Sequence, residues 1–434
     1  MSVRSAVLGA MLSLATSTAA QPPSIPGADA PELAAVGPNG VGFRTATLIH
    51  REQPDFQAAD MGTAVVPLRD RKLIVDIWYP ATAGAKARRM TYAASFWGEP
   101  PQPPVAYTVP GLAVLNAPAS GTGHPLVIVS HGYSNAPAAM TWLTENLASK
   151  GYVVAAIHHD DPNPYVIAAD KRAAPNFHRP LDIAFVAAEL KSKLGAQIDP
   201  ARVALIGYSQ GGYGVITAGG ASLDPDGPNM ALVAEGWLRR YARGTAGAAA
   251  IKVPGVKAIV ALAPAGGGPV SAWGATGLAE ITSPLLLISG DSDATVGYAR
   301  AAKAFFEGAV NSDRYLLTYR QAGHSVGLNP APPEMRGTVW DIDWFEDPIW
   351  RQDRINAINL HFITAFLGLH LRGEIDKQSY LAVAVESSND GQWNAPAGTP
   401  WGAVSPGGAG VTLWKGFQRR HARGMELRHL GVEK

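Results

Sequence analysis

The sequence predicts an α/β fold: a mostly parallel sheet with helices on both faces, an N-terminal antiparallel hairpin and cap-like insertions. Three observations predict it. Short continuous apolar runs recur at residues 125–130, 152–157, 203–206, 256–262, 285–289 and 314–319, as expected of strands buried on both faces. Helical patterns fall between them, near 137–150, 182–194, 298–307 and 355–371. One apolar run, Val203 to Ile206, passes directly into Gly207-Tyr208-Ser209-Gln210-Gly211 and then into a helix-like stretch.

Composition narrows the function classes. The 434 residues allow one large domain with insertions or two modest ones, and 47% hydrophobic against 16% charged residues describes a globular chain. The net charge is +1 with no long basic run, which argues against nucleic acid and anionic membrane surfaces as partners. There is no cysteine, so thiol catalysis, thiolate metal sites and disulfides are excluded.

From the N-terminus, Arg4, an apolar core over 6–15 and small residues to Ala20 predict a signal peptide over 1–20, and hence a secreted or periplasmic protein. No other stretch has the ~18 continuous apolar residues of a membrane helix. Residues 21–59 open with many prolines and are expected as an extended leader. Residues 64–67 and 73–79 flank Arg69-Asp70-Arg71-Lys72 and predict a hairpin turning at those charges. Residues 81–124 predict mostly loop with a short helix near 90–97. A catalytic domain is expected over 60–372. Its insertions at 221–254, helical over 232–243, and at 326–350 serve either as caps or as surface decoration. Residues 373–434 predict a tail packed on the domain.

The chemistry centres on Ser209. Strand, G-x-S-x-G and helix in that order make a nucleophile elbow, where a strained turn lifts the hydroxyl and puts the Gln210 N–H at a helix start. A serine needs a base, and the base needs an orienting acid. The elbow predicts the order Ser, acid, His. After the run 285–290 come Asp291 and Asp293. Asp293 is favoured because it lies further into the loop, with Asp291 left as a turn former. After the run 314–319, His324 stands in Gly323-His324-Ser325 and is the expected base. His131-Gly132-Tyr133 follows the first buried strand, so the Tyr133 N–H is expected to join that of Gln210 as oxyanion donor. Tyr133, Tyr208, His159 and Trp273 are expected to line the substrate cleft. A groove lined by Trp97, Trp273 and Trp344 would suit a polymer; core or lid packing is the plainer use of those rings. His158-His159-Asp160-Asp161 has poor metal spacing, because adjacent strand residues face opposite ways, and no metal is expected. Arg179 and Asp182 suggest a structural ion pair.

Taken together, these motifs resemble the α/β-hydrolase superfamily, and within it the bacterial group of dienelactone hydrolases and platelet-activating-factor acetylhydrolases. The narrower likeness rests on L-I-V-D-I-W-Y-P at 73–80, V-S-H-G-Y at 129–133 and R-P-L-D at 179–182, and covers roughly 60–372. The resemblance implies Ser209 as nucleophile, Asp293 as acid in a Gly-x-x-Asp, His324 as base, and the N–H groups of Tyr133 and Gln210 as oxyanion hole. It implies no cofactor. Dienelactone hydrolases proper use cysteine, which this chain lacks, so serine-ester chemistry on a small or lipid-like substrate, a short-to-medium acyl or acetyl ester, is the expectation. Amide or polyester cleavage by the same triad, or a non-catalytic binding protein, are the alternatives.

Overall fold

A computed structural model describes residues 20–59, 65–82, 88–97, 100–163, 165, 167, 171–336, 344–393 and 410–433. The expected signal peptide therefore lies outside the described residues, save for Ala20. Among them, eleven strands form one sheet. In chain order these are β1 (Gly40–Pro54), β2 (Leu68–Ala81), β3 (Arg89–Phe96), β4 (Val105–Leu115), β5 (His124–Ser130), β6 (Val153–His158), β7 (Ile198–Tyr208), β8 (Val256–Leu262), β9 (Leu285–Gly290), β10 (Arg314–Tyr319) and β11 (Met425–Leu430). Across the sheet they run β11-β10-β9-β8-β7-β5-β6-β2-β1-β4-β3. Neighbours from β6 to β10 are all parallel, as the sequence predicts.

The apolar runs are continuous because the parallel strands are covered on both sides. Leu126, Ile128, Val203 and Leu205 enter one core with α2 (Ala174–Leu194) and α3 (Gln210–Gly219). Val127, Val129, Ala204 and Ile206 enter the other, with α1 (Thr141–Ser149) and the long C-terminal helix Gln352–Arg372. Alternation along one strand thus feeds two layers.

The antiparallel side departs from the expectation. β2 runs straight through Arg69 to Lys72, and its partner is β1, with Leu48 opposite Leu73 and Thr47 opposite Ile74. The charges that suggested a turn are satisfied within the strand: Arg69 pairs with Asp55 at 3.2 Å, and buried Arg71 with Asp182 at 2.9 Å. Residues 40–54 are accordingly sheet, not leader. The stretch before them is also packed: Ser24 Oγ donates to Glu145 Oε2 at 2.7 Å, and Ala34 is buried. Residues 89–96 are strand β3, not helix. Its buried residues Tyr92 and Phe96 are four apart, a spacing that both a helix turn and alternate strand positions satisfy. Residues 234–241 are a 3₁₀ helix rather than an α-helix. At the other edge, β11 pairs antiparallel with β10, so part of the expected tail extends the sheet.

Candidate active site

Ser209 joins β7 to α3 at φ +53°, ψ −115°, a conformation L residues rarely hold. The glycines on either side are sterically required. A Cβ on Gly207 would lie 2.1 Å from Gly211 O, and one on Gly211 would lie 1.9 Å from Ser130 O. Ser209 N–H donates to Leu262 O at 2.9 Å, and Ser209 O accepts from Ala265 N–H at 3.0 Å, which ties the turn to the end of β8.

His324 and Asp293 converge on it. His324 Nε2 lies 3.0 Å from Ser209 Oγ, and His324 Nδ1 lies 2.8 Å from Asp293 Oδ2. The other Asp293 oxygen accepts the N–H groups of Thr295 at 2.9 Å and Val296 at 3.1 Å. Burial works to raise the Asp293 pKa, but the hydrogen bond and charge of His324 and those two N–H groups outweigh it, holding the carboxyl below the usual aspartate range. This fixes Nδ1 as the donor to Asp293 and leaves Nε2 to accept from the serine. Asp291 faces elsewhere, accepting Gln321 N–H at 2.6 Å.

The His324 loop has its own supports. Asp347 Oδ2 accepts Gly323 N–H at 2.6 Å, and the Tyr208 ring lies against the imidazole at 5.3 Å between centroids. Asp347 lies in the Pro- and Trp-rich insertion, and nothing in its sequence surroundings marks it.

Unengaged backbone N–H groups stand at both positions expected for oxyanion donors. Gln210 N–H opens α3 and has no intrahelical acceptor. The loop after β5 approaches closely because residue 132 is glycine: a Cβ there would lie 3.0 Å from Tyr208 Cδ1 and 3.6 Å from Ser209 Cβ. Among the described residues, neither the Tyr133 nor the Gln210 N–H is engaged in a hydrogen bond.

A cavity of about 520 Å³ opens on Ser209 and His324. Six aromatic rings line it, Phe96, Trp97, Tyr133, Tyr165, Tyr208 and Trp344, with Ser134, Asn135, Arg172 and Thr295 among its polar members. Tyr133 and Tyr208 thus take expected places. His159 and Trp273 do not. The His159 side chain is buried, between Ser130 Oγ at 2.9 Å and Asp182 Oδ2 at 3.0 Å, and burial followed by the charges of Arg179 and Arg71 holds it neutral. Trp273 is a core residue that stacks on Tyr213 and donates to Thr217 Oγ1 at 3.0 Å. The other two tryptophans suggested for a groove, Trp97 and Trp344, do reach the cavity. Phe96, Tyr165, Arg172 and Thr295 went unread because they lie in loops and a mistaken helix. Insertion 326–350 supplies Trp344; among the described residues, insertion 221–254 supplies no wall.

The His158–Asp161 cluster disperses. His158 bonds Asp76 at 2.8 Å, Asp160 bonds Arg69, and Asp161 bonds Arg179. The suggested Arg179–Asp182 pair is therefore absent: Arg179 takes Asp161, and Asp182 takes Arg71 and His159.

A family model described as PET hydrolase-like matches residues 112–225, the stretch from β4 through the elbow and α3. The parallel sheet with this elbow at its centre is an α/β-hydrolase fold. Curated proteins similar to this chain include bacterial cutinases. Cutinase 2 of Thermobifida cellulosilytica is 33% identical over 116 residues, 27% of this chain and 41% of that protein. Cutinase cut1 of Thermobifida fusca is 33% identical over 116 residues, 34% of its length. The chain thus spans well under half of either relative. A ferulic acid esterase from Streptomyces cinnamoneus superposes with a TM-score of 0.48 at 19% identity, covering 79% of this chain and 94% of that one.

Proposed function

We propose that this chain is an exported serine hydrolase that cleaves carboxylic esters through an acyl-enzyme. The observation that carries the reading is the Ser209–His324–Asp293 relay, at 3.0 and 2.8 Å, at the base of an aromatic cavity. Ser209 Oγ attacks the ester carbonyl carbon while His324 Nε2 takes its proton. The Tyr133 and Gln210 N–H groups stabilise the tetrahedral oxyanion; one such donor is typically worth ~3 kcal/mol. Collapse breaks the C–O bond, and His324 returns the proton to the departing alcohol. Water then attacks the acyl-enzyme by the same steps in reverse roles. Nothing in this chemistry requires a cofactor.

The PET hydrolase-like match, the similarity to cutinases and the aromatic lining residues favour esters with an aromatic or extended acyl part, including polyesters, over acetyl esters alone. Export rests on the sequence of residues 1–20; among the described residues, no helix is long and apolar enough to cross a membrane.

The test is labelling by a fluorophosphonate, wild type beside S209A, followed by hydrolysis of p-nitrophenyl esters from acetyl to palmitoyl, p-nitrophenyl benzoate and a polyester film. Labelling should vanish in S209A, and benzoate should be cleaved at least as fast as acetate. A folded wild type that neither labels nor turns over any ester removes the reading.

A further inference from the structure

Arg179 lies outside the cavity lining and is fully buried, yet its guanidinium points back at the loop that forms one wall. Its Nη1 donates to Ser130 Oγ at 3.1 Å and to His131 O at 2.5 Å, and its Nη2 donates to Gly132 O at 3.0 Å. Nε donates to Asp161 Oδ1 at 3.2 Å, and Nη2 also bonds Asp161 Oδ2. A buried ion pair is costly unless its donors and acceptors are used. Here the donors are spent on three consecutive residues, 130 to 132.

We propose that Arg179, held by Asp161, is a positioning residue for the oxyanion hole: it fixes the Gly132 carbonyl and thereby aims the Tyr133 N–H at the reacting carbonyl. The inference rests on the ester-hydrolase reading above and names what prepares that site. The peptide unit is planar and trans, so its C=O and N–H point in opposite directions. With Gly132 O turned to Arg179, the N–H of Tyr133 faces away from the guanidinium. His131 Nδ1 supports the same carbonyl at 2.7 Å. The next peptide is gripped by the other half of the ion pair: Asp161 Oδ2 accepts Ser134 N–H at 3.0 Å, with Ser134 in the left-handed region at φ +53°. One Arg–Asp pair therefore brackets Tyr133 on both sides and leaves its N–H unspent. Were the Gly132–Tyr133 peptide to turn over, a carbonyl oxygen would stand where the oxyanion needs a donor. Behind Arg179 the chain continues from Ser130 through His159 and Asp182 to Arg71, so the clamp is seated in a rigid buried network. Donors aimed before the reaction, with no reorganisation during it, are what oxyanion stabilisation requires.

The test uses the full protein, with R179K and D161N beside wild type and S209A. Turnover of p-nitrophenyl butyrate is measured together with inhibition by a trifluoromethyl ketone, which adds to the serine and places an oxyanion in the hole. R179K and D161N should lower kcat by about 30- to 300-fold, within the range for losing one oxyanion donor, while KM stays within about threefold. Affinity for the ketone should fall in proportion to kcat/KM. If these variants do not fold, R179A refolded with millimolar guanidinium supplies the readout, and kcat should rise with guanidinium concentration. Folded variants with kcat within about threefold of wild type, ketone affinity unchanged while kcat falls, or an R179A kcat indifferent to guanidinium each overturn the proposal. A wild type without Ser209-dependent turnover would instead remove the ester-hydrolase reading itself.

Discussion

Asp293 has its two oxygens committed in opposite directions, and that sets what its substitution must do. Oδ1 accepts the N–H groups of Thr295 and Val296, while Oδ2 faces His324 Nδ1. In D293N the amide must keep its carbonyl oxygen toward the two N–H groups, because an NH₂ there would oppose two donors. The NH₂ is then turned to His324 Nδ1, which becomes an acceptor, and the proton moves to Nε2, where the serine needs a base. D293N should therefore keep its fold and lose about 10⁴-fold in kcat at neutral pH, measured with p-nitrophenyl butyrate. The wild-type carboxyl stays ionised below the usual aspartate range, so Asp293 itself adds no protonation step above that range. A D293N enzyme within tenfold of wild type would contradict this account. That Ser209, Asp293 and His324 come together could be read from sequence, because a triad of this kind constrains both residue type and chain order around strand ends. His159 and Trp273 were misplaced for the opposite reason. Both follow buried strands or turns in sequence, but which side a ring faces depends on distant partners, Asp182 for one and Tyr213 for the other.

At the scale of elements, β10 delivers the His324 loop, and β11 is the strand that closes its free edge. The register sets Leu317 against Leu427 and Tyr319 against Met425, and both β11 side chains are buried. Arg314, buried at the start of β10, donates to Phe306 O at 2.7 Å and to Gly431 O at 2.9 Å, and pairs with Glu433. Just beyond β10, Arg320 N–H donates to Gly424 O at 2.8 Å. Deleting residues 425–434 would empty two core positions, each worth ~2–5 kcal/mol, and leave Arg314 buried with fewer acceptors. The truncated protein should melt more than about 10 °C lower and lose activity, although none of the deleted residues lines the cavity. An unchanged melting temperature would show that β11 is dispensable. Parallel strands β5 to β10 were legible because burial on both faces writes itself as an unbroken apolar run. The outer strands were not: β1 carries Arg44, His50 and Arg51 on exposed or half-buried positions, and β11 reads M-E-L-R-H-L, so only alternate residues signal the sheet.

For the whole molecule, the buried histidines and lysines point one way. Burial lowers the pKa of His131, His159 and His178 well below 6.5 and that of His361 to about 3. Between pH 6.5 and those lowered values, the unfolded chain binds protons that the folded one refuses, so stability falls as pH falls. Each such group contributes up to ~1.4 kcal/mol per pH unit. Burial also lowers Lys150 to about 7 and Lys252 to about 8. Between those values and the usual lysine range, the unfolded chain again holds the extra protons, so stability keeps rising with pH. The buried tyrosines reverse the sign: burial raises Tyr208, Tyr213 and Tyr319, so above pH ~10 the unfolded chain loses protons first and stability declines. The melting temperature should therefore climb from pH 5 through neutrality to a maximum near pH 9–10, above the usual pH 5–8 optimum. Lys150 supplies the control. Its Nζ donates to Leu33 O at 2.6 Å and Thr364 Oγ1 at 2.9 Å, so K150M should lower the melting temperature outright and also flatten its rise between pH 7 and 10. A wild-type maximum near pH 6, or a K150M curve parallel to wild type, would show that these groups do not govern the stability of the fold.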